Sequence, residues 1–148
     1  MKTIKCIKGK LLFHKNGIGR LHKKTQKWIS EIEFVKIEQE FFKQLLSAHI
    51  VKLCSTHHLE TAKALLNEIE EENNIGARLT QSIYDQRLNL SLISENIYVK
   101  QDADFRAIQK SIKIEYRNYK VKFKEIRDRV FELVLQTIKK ERQKKLLA

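Results

Sequence analysis

The chain has 148 residues, no proline, four glycines and a formal net charge of +12. That length suits one domain with a real core, and the absence of a residue that breaks helix interiors points to a mostly helical fold. Composition argues against several classes. No apolar run approaches the roughly 20 residues of a membrane span, and Lys2, Lys5, Lys8 and Lys10 interrupt the one candidate for a secretory signal. Two cysteines, Cys6 and Cys54, are too few for a disulfide scaffold. The chain reads as soluble and cytoplasmic.

Residues 1–24 form a basic N-terminal segment, and 25–148 form the helical region. In the first part Asn16-Gly17 is a two-residue hairpin signal between apolar residues. The readings are a short ribbon, about 10–15 against 18–22, or a loose segment. The first helix is expected from Thr25, a candidate N-cap, to about Cys54. Trp28, Ile32, Val35, Phe42, Leu46, His49 and Leu53 make one stripe on it, and Phe34, Ile37, Phe41, Leu45 and Ala48 make a second. Two stripes imply two neighbours, or a face left for a second copy of the chain.

The second helix is expected over about His57–Glu95, after a cap at Ser55 or Thr56. Its stripe is Leu59, Ala62, Leu66, Ile69, Leu79, Ile83, Leu90 and Ile93. The polar stretch Glu70–Gly76 either kinks this helix or, with a break near Asn74–Gly76, divides it in two. Near-continuous periodicity favours one helix. The third runs from Asp102 or Asp104 to Leu147. Phe105, Ile108, Ile112, Tyr116, Tyr119, Phe123, Ile126, Val130, Val134 and Ile138 recur on it in steps of three and four, the spacing of a buried helix face. Arg106, Lys110, Lys113, Arg117, Lys120, Lys124 and Arg127 run beside that seam, offset by one residue.

These elements predict an all-α fold: an elongated antiparallel bundle of three long helices, or four if the second breaks. Length matching leaves residues 85–97 and 104–115 without a first-helix neighbour. Either Leu11, Leu12, Phe13, Ile18 and Leu21 cover them, or they project as an arm. Charge is uneven, with no acidic residue in 1–27, an acidic excess in 28–99 and a basic excess in 100–148. An acidic waist between two basic ends follows, the second end being Lys139–Lys145.

Chemistry is sparse. Cys54, His57 and His58 are the one local cluster of soft and imidazole ligands. A structural zinc site needs a fourth ligand, which the expected layout does not bring near, so no metal or other cofactor is implied. His49 reads as a core histidine. No Gly-rich phosphate loop, His-Glu-x-x-His or Gly-x-Ser-x-Gly occurs, and no small-molecule substrate is evident. The expected function is a non-enzymatic helical interaction or scaffold module. It would join a protein partner or itself as a homodimer through Phe34, Ile37 and Phe41. The alternative is a basic nucleic-acid-binding protein that contacts phosphates without reading sequence. Its candidate residues are Lys23, Lys24, Lys27, Arg87, Arg106, Lys110 and Lys113. A membrane role is disfavoured, because the basic helix needs its apolar face for the core.

Overall fold

A computed structural model describes residues 17–50, 56–95 and 102–147. Three helices fill them, and no strand occurs among the described residues: α1 (Ile18–Ile50), α2 (Thr56–Ser94) and α3 (Asp102–Leu147). α2 passes Gly76 without a break. Residues 18–22 are helical, so the second arm of the expected ribbon is instead the start of α1; residues 10–15 and Cys54 lie outside the described residues. The hairpin signal at Asn16-Gly17 therefore does not carry the chain into a strand at residue 18. Thr25 is not a cap either. It is buried inside α1, and its hydroxyl donates to the His22 carbonyl at 2.9 Å.

The described chain divides into two units. The first holds α1 to Ile32, Arg78–Ser94 of α2, and α3 to Tyr116; the second holds Glu33–Ile50, Thr56–Ala77 and Arg117–Leu147. In the first unit Leu21 packs on Leu90, Ile93 and Phe105. The Trp28 ring lies 5.6 Å from that of Tyr116, and Arg87 donates to the Gln26 carboxamide at 3.1 Å. So α1 and α3 run parallel there, with α2 antiparallel. Leu21 covers this end as the sequence suggested, but it does so as part of a helix. The projecting arm is overturned for these residues.

In the second unit Phe42 meets Phe123 at 6.1 Å and Phe131 at 5.4 Å. Glu68 accepts from Arg129 at 2.6 Å and Lys122 at 3.2 Å, and Lys43 reaches Glu70 at 3.2 Å. These pairs are partly exposed, and each contributes roughly 0–1 kcal/mol. Packing of the seams carries most of the stability.

Each seam keeps one rule. Buried residues alternate steps of three and four, the seven-residue repeat of coiled-coil packing. On α1 they are Thr25, Trp28, Ile32, Val35, Gln39, Phe42 and Leu46, with Ile29 beside them. On α2 they are Ala62, Leu65, Ile69, Glu72, Gly76, Leu79, Ile83, Gln86, Leu90 and Ile93. On α3 the repeat runs from Tyr116 through Tyr119, Phe123, Ile126, Val130 and Leu133 to Thr137. This corrects the expected stripes in two places. Leu65, not Leu66, is the fully buried residue, and α3 ends its seam on Leu133 and Thr137, not Val134 and Ile138. Hydrophobicity suits either choice, but only one keeps the repeat.

The repeat also carries polar groups inward. In the second unit Gln39 is fully buried and Glu72 nearly so. Burial raises the Glu72 carboxyl above its ordinary value; Lys122 opposes this, and Glu71 and Glu68 add to it. Burial and then the charge of Glu72 push the Tyr119 hydroxyl up to about 12. Tyr119 fits only because its neighbour on α2 is glycine: a Cβ on Gly76 would stand 2.8 Å from its hydroxyl oxygen.

Two outcomes are expected. Alanine ordinarily stabilises a helix interior by about 1 kcal/mol over glycine. Gly76→Ala should instead lower the Tm in the wild-type background and lower it less, or raise it, beside Tyr119→Phe; additive effects in a thermal double-mutant cycle would contradict the contact. Glu72 binds its proton more tightly folded than unfolded, so its contribution to stability falls as pH rises from its ordinary value through its raised one. Glu72→Gln should therefore raise the Tm at pH 7 and lose that advantage below pH ~4, where the unfolded carboxyl is also protonated. An equal gain at both pH values would refute the assignment.

Candidate functional site

Two surfaces stand out, one in each unit. The first lies in the second unit, on α1 and α3. Phe34, Ile37 and Phe41 are 61%, 69% and 55% exposed. Their expected place as a second stripe on a neighbouring helix is not realised among the described residues. The seam explains why. With Val35, Gln39 and Phe42 facing inward, residues 34, 37 and 41 turn outward.

Phe131, Leu135 and Ile138 of α3 are exposed as well. Phe131 and Ile138 each follow a seam residue, Val130 and Thr137, so they lie on the α3 edge that faces the parallel α1. The contact of Phe131 with Phe42 places it against that helix, and Phe41 also touches Phe42, at 5.9 Å. Leu45 and Val134, both half-buried, sit at the inner edges of the same groove. The result is an aromatic and aliphatic face. The sequence reading found its α1 half and missed its α3 half, because it assigned Val134 and Ile138 to the core. Counting strict sevens back from Ile138 to Phe131 would have exposed the error.

The second surface is a basic groove in the first unit. A concavity of about 420 Å³ is lined by Leu21 and Lys24 of α1 and by Phe105, Arg106, Gln109, Lys110 and Lys113 of α3. The same register builds it. Lys24 directly precedes the seam residue Thr25, and Arg106 and Lys113 directly follow Phe105 and Ile112, which sets them on facing edges of parallel helices. Phe105 and Leu21 form the apolar floor. The Lys24 ammonium lies 5.5 Å from the Trp28 ring centroid, a cation–π contact. Gln109 uses its carbonyl oxygen to accept from Gln86 at 3.1 Å, and its own Nε2 donor has no partner among the described residues.

Four of the seven candidate cations thus meet: Lys24, Arg106, Lys110 and Lys113. Lys23 and Lys27 are exposed on α1 outside the lining, and Arg87 is held by Gln26. The sequence set α2, with Arg87 and Asp85, opposite the α3 cations, with Lys23, Lys24 and Lys27 near the same end. α1 takes that place, because it begins at Ile18 and reaches this end.

Little gathers around the weak metal candidates. Cys54 lies outside the described residues, and no group of three metal-ligating side chains occurs among those described. The Lys140 ammonium is 3.2 Å from His58 Nδ1, and a cation there opposes a metal on that nitrogen. His49 is half-buried, and its Nδ1 has no partner among the described residues. No helix is long and apolar enough to cross a membrane among the described residues. Comparison of the chain with protein-family models, curated proteins and solved structures finds no match.

Adjacent phenylalanines should separate surface from core. Phe41→Ser should change stability by no more than about 0.5 kcal/mol, as exposed substitutions do. Phe42→Ala, at a residue 1% exposed, should cost about 3–5 kcal/mol. Urea unfolding at low protein concentration measures both, and similar losses would contradict the register.

Proposed function

We propose that the protein is a non-enzymatic helical interaction module that pairs with a second copy of itself through the α1/α3 face of the second unit. The observation that carries this reading is the outward exposure of Phe34, Ile37 and Phe41. Large contiguous apolar surface is uncommon on monomers and marks association sites. Phe131 and Ile138 extend the patch across the groove, and aromatic residues are enriched at interface centres.

Charge favours a second copy as the partner. Glu33, Glu38 and Glu40 border the α1 side of the face; Lys124, Arg127 and Lys139 border the α3 side together with Glu132 and Asp128, which lies 3.6 Å from Arg127, so the α3 side is basic on balance. A two-fold axis along the groove lays the acidic α1 edge of one copy over the basic α3 edge of the other, and the reverse. A two-fold contact is self-complementary by construction, and a surface with one acidic and one basic edge meets that condition. Ion pairs at such a rim choose orientation more than they add affinity, while the phenylalanines supply the attraction.

Sedimentation equilibrium tests this. The wild-type chain should sediment as a dimer at micromolar concentration. Phe41→Glu with Phe131→Glu should shift it to monomer, with helix content unchanged by circular dichroism. A charge swap offers a second check. Glu38→Lys should weaken the dimer, and adding Arg127→Glu should restore it in part. A wild-type monomer at ~100 μM, or a dimer indifferent to both phenylalanine changes, would defeat the proposal.

A further inference from the structure

We infer that the basic groove of the first unit binds the phosphate backbone of a single nucleic-acid strand. Among the described residues four cations and no acidic side chain line it. Two helices supply them, so the positive charge flanks a channel. A positively charged groove that tracks the backbone is one of the two parts, with aromatic stacking, by which proteins hold single strands without sequence preference. Gln109, beside the cations in the lining, is held by Gln86, which donates to its carbonyl oxygen at 3.1 Å.

The floor decides between polyanions. Phe105 is 1% exposed and Leu21 is half-buried, both beneath the cations. A membrane surface is flat and takes up apolar groups that project from a protein; here they are recessed. Arg106 and Lys110 are exposed and Lys24 and Lys113 half-buried, and a single strand is flexible enough to meet all four. Among the described residues the walls bear no exposed aromatic ring for stacking. Binding therefore reads charge and not bases, and it depends on salt through the counterions released at each contact.

The second concentration of positive charge, Lys139–Lys145, serves as an internal control. Its lysines and arginine are exposed, and none of them lines this groove. General attraction to a protein of charge +12 would use both regions alike; a built site would use one.

The test measures binding of the full chain, freed of carried-over nucleic acid, to a labelled single-stranded RNA and DNA of mixed sequence across a salt series. Wild type should bind at ~50 mM salt, with log affinity falling steeply against log salt. Lys110→Gln with Lys113→Gln should weaken binding at least tenfold and reduce the slope by about 1.4, at roughly 0.7 per single-strand contact. Lys139→Gln with Arg142→Gln should change affinity less than twofold. All the changes are on exposed or half-exposed residues, and circular dichroism confirms each variant is folded. Equal losses from the two pairs would overturn the proposal, as would no binding by wild type. So would equal or tighter binding to duplex of matched length, poly-glutamate, or vesicles rich in phosphatidylserine. The Phe41→Glu/Phe131→Glu chain should still bind, which separates this site from the dimer face.

Discussion

The seven-residue register of the three seams is the constraint on which the rest depends. Once Thr25, Ala62 and Tyr116 face inward, the alternation of three and four settles each later position on its helix. It admits Gln39, Glu72, Gln86 and Thr137 to the interior and leaves Phe34, Ile37 and Phe131 outside it. A chain sorted by hydrophobicity alone would do the reverse. Burying an unpaired amide costs free energy, and Gln39 has no partner among the described residues for either side-chain polar atom. The neighbouring leucines, isoleucines and aromatics must offset that cost.

Both candidate surfaces are by-products of the same geometry. Between parallel helices, the residues just before and just after the seam face one another across a groove. In the first unit those places hold lysine and arginine; in the second they hold Phe34, Phe41 and Leu45 on α1 and Phe131, Val134 and Ile138 on α3. Identical backbone arithmetic thus yields a charged channel in one unit and an apolar face in the other. Side-chain chemistry alone separates them.

The helical class was legible because proline is absent and the apolar steps are long and regular. Most of the core could be named for the same reason: Trp28, Ile69, Ile83 and Ile126 fit any helical reading. What failed was the choice between adjacent apolar residues. Leu65 and Leu66 are chemically identical, and Val134 is as apolar as Leu133, so composition cannot select between them. The start of α1 failed for a different reason. Asn-Gly favours a tight turn locally, but Leu21 gains more by closing over Leu90, Ile93 and Phe105. That contact is distant in sequence, and a local rule does not see it.

Repeats of seven have a weakness that the pairing of Gly76 with Tyr119 answers. A helix sliding past its neighbour by two turns would again set apolar residues against apolar residues, so many offsets have similar energy. Tyr119 needs a partner without a side chain. The equivalent positions two turns away on α2 are Ile69 and Ile83, and neither leaves room. A single glycine beside a large ring therefore makes one offset distinct from the rest. What looks in the sequence like a weak point in α2 serves as the index mark that aligns two otherwise slippery helices.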